Sequence, residues 1–115
     1  GMRTPYASAK WAVNGLGKSL AVELGPHGVR VNVVAPGTVR GPRMDGVIDR
    51  EAQATGVDRS AVERRYVGGQ SIARFVEATE IADMCAFLAS PAAAMVSGQI
   101  ISVDGHTETF HLAED

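Results

Sequence analysis

From Tyr6 to Leu24 apolar residues recur at helical spacing with no interior Pro, Pro5 stands where a helix can begin, and Gly25-Pro26 supplies two stop signals. The pattern predicts a long helix over residues 5–24. At about 100° per residue, Tyr6, Lys10, Val13, Gly17, Leu20 and Leu24 fall on one stripe, and Ser8, Trp11, Ala12, Gly15, Ser19 and Val22 on the opposite one. The second stripe is rich in small residues and carries a Trp. It predicts a helix contacted on both sides, by its own core and by another helix such as that of a second subunit.

Val29 to Val34 is β-branched and nearly continuous, bounded by Gly28 and Pro36-Gly37, and predicts a buried parallel strand over 29–34. Residues 38–76 hold Gly or Pro at 41, 42, 46 and 56, charges throughout, and weakly amphipathic stretches at Met44 to Ala54 and Arg59 to Tyr66. They predict a helical excursion of the kind that forms a lid. Ile81, Met84, Cys85 and Leu88 repeat at i, i+3, i+4, i+7 and predict a helix over 78–89, stopped by Ser90-Pro91, with Cys85 on its buried face. Gly98 then introduces a strand over 99–103 closed by Asp104-Gly105, and residues 106–115 read as a tail. A helix, a tight connection and a buried strand make half of a β-α-β unit.

Composition narrows the function classes. The 115 residues, 45% hydrophobic and 21% charged, suit one globular unit. A net charge of -2 without a basic stripe, and 5% aromatic residues, argue against nucleic acid as a partner. No apolar run approaches the roughly 20 residues of a membrane span, so the expectation is no membrane association and a cytoplasmic location. Gly1 before Met2 reads as a cleavage remnant ahead of an initiator Met, and the single Cys85 reads as a small core residue. His106, Glu108 and His111 have ligand chemistry but match no strong metal template, so no metal is expected; His27, between Gly25-Pro26 and Gly28, reads as a turn residue.

The candidate chemistry lies at the start of the chain. In Tyr6-Ala7-Ser8-Ala9-Lys10, a spacing of four puts a phenol and an ammonium on one helical face, one turn apart. A fixed cation favours the phenolate, which makes the hydroxyl a usable proton donor and acceptor. Taken alone the spacing is common, because Tyr and Lys fall four apart by chance in many helices.

Four signatures in order give it context: Tyr6-Ala7-Ser8-Ala9-Lys10; Leu20-Ala21-Val22-Glu23-Leu24 leading to His27-Gly28-Val29-Arg30-Val31-Asn32; Ala35-Pro36-Gly37; and Ser97-Gly98-Gln99 with Val103-Asp104-Gly105. Together they resemble the C-terminal half of the short-chain dehydrogenase/reductase family, similar to its 3-oxoacyl-ACP-reductase-like members, over residues 4–105. The resemblance implies an α/β fold, the C-terminal part of a doubly wound, Rossmann-like parallel sheet with a helical lid insertion. It implies that Tyr6 exchanges a proton with the substrate oxygen while NAD or NADP carries the hydride, and that Lys10 holds the cofactor ribose. Pro36, Gly37, Thr38 and Val39 would lie against the nicotinamide, the Val39 backbone bonding its carboxamide. Gly41 stands where many members have a Thr that contacts the cofactor, and His106 where a second Gly often ends the final strand.

The family's glycine-rich pyrophosphate loop and the Ser that works beside the Tyr have no counterpart in these residues. The expectation is an oxidoreductase by ancestry whose 115 residues alone bind no cofactor and take a small carbonyl or alcohol substrate only when completed. The alternative is a non-catalytic truncated fragment that persists as a homo-oligomer, joined through the 5–24 helix and the open edge of the 29–34 strand.

Overall fold

Pro5 within the first turn and the absence of any further Pro allow α1 to run over Thr4–Leu24. A computed structural model describes residues 4–107 of the chain. After α1 a single 3-10 turn, Gly25–His27, ends at Gly28, whose N–H donates to the Gly25 carbonyl at 2.9 Å and whose φ of 73° turns the chain out of the helix. The elements that follow are β1 (Val33–Pro36), α2 (Pro42–Thr55), α3 (Arg59–Val67), α4 (Ala78–Ala89) and β2 (Ile100–Val103). β1 and β2 pair in a two-stranded sheet. The N–H of Val33 meets the Gln99 carbonyl and that of Gly37 the Val103 carbonyl, both at 2.9 Å, an equal advance along both strands that marks parallel pairing.

The described residues divide into two compact units, the first holding residues 4–35 and 84–101, the second 36–83 and 102–107. In the first, Gly17 is the buried residue of α1, and a Cβ there would collide with Val33 Cγ2. The Gly17, Leu20 and Leu24 stripe is thus the inward one in this half of the helix. The opposite stripe faces outward, with Trp11 72% and Val22 77% exposed.

The strand expected over 29–34 is instead Val33–Pro36. Before Val33 the chain is held through side chains: the Val31 N–H donates to Ser97 Oγ at 3.1 Å, Asn32 Nδ2 donates to the Val96 carbonyl at 2.9 Å, and Asn32 Oδ1 accepts from the Gln99 N–H at 3.2 Å. The Gly98 N–H adds a bond to the Val31 carbonyl at 2.7 Å. At its other end the strand runs into Pro36, which the sequence suggested as a stop. Residues 33 and 37 donate to the neighbouring strand, so position 36 lies out of phase and the missing proline N–H leaves no gap there.

In the second unit the residues of the expected lid form two helices around a small core of Ile48, Val62, Val67 and Phe75, with Met44, Ala52, Val57 and Tyr66 packed against it. Arg59 ties α3 to α2, reaching Asp45 at 3.3 Å and Asp49 at 3.0 Å besides Glu63 on its own helix at 3.2 Å. The Tyr66 hydroxyl donates to Glu51 Oε2 at 2.7 Å, and that carboxylate raises the Tyr66 phenol above its ordinary range.

Helix α4 covers Ala78–Ala89. Its first turn is capped by Glu80, whose carboxylate accepts the Glu77 N–H at 2.9 Å. Cys85 is exposed, not in the core. The inward line of α4 runs through Ile81, Met84 and Leu88, a narrower stripe than the i+4 position implied. β2, Ile100–Val103, begins one residue after the expected 99. Of the expected tail only His106 and Thr107 are described; Glu108 and His111 lie outside the described residues. Among the described residues no helix is long and apolar enough to cross a membrane.

Candidate functional site

One group of candidate residues is set on α1. Tyr6 and Lys10, four residues apart, meet as the helical spacing requires, with Lys10 Nζ 5.5 Å from the centroid of the Tyr6 ring. Tyr6 is 61% exposed. Two turns further on, Lys18 Nζ donates to the Gly98 carbonyl at 2.7 Å, tying this helix to the approach of β2. Gly98 takes a φ of +72°, which a residue with a side chain rarely adopts.

These bonds explain why the sequence signatures occur together. Arg30 Nη1 and Asn32 Nδ2 both donate to the Val96 carbonyl, at 3.2 and 2.9 Å, and Ser97 and Gly98 take the two bonds to Val31. The Val29-Arg30-Val31-Asn32 and Ser97-Gly98-Gln99 motifs are two halves of one hydrogen-bonded junction.

A separate group of candidate residues lies in the other unit. Pro36 ends β1, and Gly37 follows where a Cβ would lie 2.7 Å from both Cα and Cβ of Asp104, so only glycine lets these backbones approach. Asp104 in turn organises the residues after β2, its carboxylate accepting the His106 N–H at 2.8 Å and the Thr107 hydroxyl at 2.7 Å. Beyond Gly37, Val39 forms an isolated parallel bridge with Val76. In it the Val76 N–H donates to the Thr38 carbonyl at 2.9 Å and the Arg40 N–H to the Val76 carbonyl at 2.8 Å. This pattern uses the groups of Thr38 and Arg40, leaving the N–H and C=O of Val39 directed away from Val76.

Three features of this unit are not legible from the motifs. Arg40 stacks on Phe75, its guanidinium carbon 5.0 Å from the ring centroid, and pairs with Glu77 at 3.3 Å. Arg74 and Glu80 form a two-point pair at 2.7 and 2.8 Å; with the Glu77 N–H, this lowers the Glu80 carboxyl from 4.5 to about 2. His106 has a φ of 66°, the left-handed region that a residue with a side chain rarely adopts, with its Nδ1 2.6 Å from Ser71 Oγ and its carbonyl accepting the Ser71 N–H at 3.1 Å. Among the described residues no group of three or more His, Cys, Asp or Glu could hold a metal ion.

Comparison with known proteins places these features in a family. A family model described as Enoyl-(Acyl carrier protein) reductase matches residues 1–106. The short-chain reductase protein NovJ of Streptomyces niveus is 39% identical over 103 residues, 90% of this chain and 38% of that protein. The crystal structure of L-sorbose reductase from Gluconobacter frateurii, complexed with NADPH and L-sorbose, is 26% identical with a TM-score of 0.84, over 92% of this chain and 41% of that one. A short chain dehydrogenase family protein from Francisella tularensis is 29% identical with a TM-score of 0.82, over 89% of this chain and 42% of that one. The chain therefore spans about two fifths of the length of the proteins it matches.

Proposed function

The chain belongs to the short-chain dehydrogenase/reductase family, and we propose that it carries the proton-transfer pair and the nicotinamide-facing strip of an NAD(P)-dependent alcohol dehydrogenase or ketone reductase. The observation that carries this is the Tyr6–Lys10 pair, one turn apart on α1 with the ammonium 5.5 Å from the ring centroid. Tyr6 exchanges a proton with the oxygen of a small carbonyl or alcohol substrate. Lys10 holds the ribose hydroxyls and stabilises negative charge that develops on the phenol oxygen. The outward peptide groups of Val39 and the close backbone at Gly37 fit a flat carboxamide-bearing ring, with Pro36, Gly37, Thr38 and Val39 forming the strip against it. The bound nicotinamide supplies or accepts the hydride. NADPH in the L-sorbose reductase structure supports a nicotinamide cofactor without choosing between NAD and NADP.

The 115 residues contain no glycine-rich strand-to-helix turn to receive a pyrophosphate. By themselves, on this proposal, they bind NAD(P) weakly or not at all and complete no turnover. A second reading, a non-catalytic fragment held as a homo-oligomer in the cytoplasm, is favoured by the outward Trp11 and Val22 of α1, 72% and 77% exposed. The test is NAD(P)H oxidation with a ketone: the 115-residue chain shows none that depends on Tyr6. Where in-frame sequence upstream of Met2 encodes a glycine-rich turn, Tyr6→Phe in that longer protein lowers kcat by roughly 10²–10⁴.

A further inference from the structure

The strip that carries Val39 is gripped by a side chain to which the proposed reaction gives no role. Arg40 lays its guanidinium carbon 5.0 Å from the centroid of Phe75 and sets its Nε 3.3 Å from Glu77 Oε1. These two residues flank Val76, the bridge partner of Val39. Phe75 is only 4% exposed, so the ring is fixed by the core and the guanidinium rests on an immobile surface. Arg40 therefore holds both neighbours of Val76 while its own N–H bonds the Val76 carbonyl at 2.8 Å.

A bridge of two backbone hydrogen bonds opens readily unless side chains hold it, because isolated pairings at segment ends have low local stability. A planar guanidinium can stack and pair at once, whereas an ammonium in its place keeps the charge but not the stacked plane. The geometry points to Arg40 as a positioning residue: by clamping Phe75 and Glu77 on either side of Val76, it fixes the direction in which Val39 presents its own N–H and C=O. The inference rests on the proposal that Val39 faces the nicotinamide, and assigns to Arg40 the holding of that contact rather than any part in it.

Amide hydrogen exchange followed by NMR on the 115-residue chain tests this without cofactor or substrate. In Arg40→Ala the amides at positions 40 and 76, the two donors of the bridge, lose about tenfold in protection, the scale of a half-exposed cation–π contact plus a surface ion pair. The Val39 amide signal broadens as its orientation ceases to be fixed. The Gly37 amide, bonded to the Val103 carbonyl, and the Val62 amide, bonded to the Asp58 carbonyl, keep their protection within a factor of about two. Arg40→Lys and Glu77→Gln, milder variants, fall between wild type and Arg40→Ala. Unchanged protection at positions 40 and 76, or an equal loss at Gly37 and Val62, overturns the inference. The first outcome removes the brace; the second reduces Arg40 to general stability. Either leaves the Tyr6 proposal standing, and failure of that proposal in a turnover assay leaves these exchange rates as they are.

Discussion

Gly37 shows how much one position can carry. Its missing Cβ lets the backbone pass Asp104, where an added carbon would sit 2.7 Å from two atoms, one of them backbone. Gly37→Ala is expected to cost about 1–3 kcal/mol in urea unfolding, as overpacking against an unyielding neighbour does. Glu80 makes a prediction in pH. Its carboxyl lies at about 2, held there first by Arg74 and then by the Glu77 N–H. A depressed carboxyl stabilises the fold above its ordinary range, and that contribution disappears as pH falls through about 2. An NMR titration of Glu80 should give that midpoint, and Arg74→Ala should return it toward the ordinary 4.5. At this scale the sequence was informative where spacing alone decides contact, as for Tyr6 and Lys10. It was silent where partners come from distant segments, as for Arg40 with Phe75 and Glu77, because no local pattern encodes their meeting.

Elements were legible where Pro and Gly punctuation marked their ends. Helix α1 was expected over 5–24 and spans Thr4–Leu24, because Pro5 and Gly25-Pro26 punctuate it strongly. β1 shifted to Val33–Pro36 because a strand needs a partner backbone, and that pairing with 99–103 is set by register, not by the β-branched run. The lid residues turned out to have a core of their own, which the weak amphipathicity of 38–76 did not announce. Val62, wholly buried in that core, offers the direct check. Val62→Ala removes two methyl groups there and should cost about 1.5–3 kcal/mol, read as a lower midpoint in urea. Cys85 is exposed because the i, i+3, i+4, i+7 pattern of α4 allows a wide or a narrow buried stripe, and the narrow one occurs.

At the scale of the molecule, a two-stranded parallel sheet with helices is a partial Rossmann-like fold, and such a sheet leaves apolar surface and strand edge uncovered. With Trp11 and Val22 outward on α1, we expect the 115-residue chain to elute as an oligomer in size-exclusion chromatography with light scattering; a folded monomer at micromolar concentration would contradict this. On the proposed function Tyr6 is the proton donor beside its lysine, and these residues hold no pyrophosphate loop to bring it a hydride source. The most direct measurement is NADPH oxidation by the 115-residue chain with a panel of ketones, wild type against Tyr6→Phe. We expect both to match the rate without protein, whereas oxidation by the wild type that Tyr6→Phe abolishes would show that these residues bind the cofactor and complete the reaction by themselves.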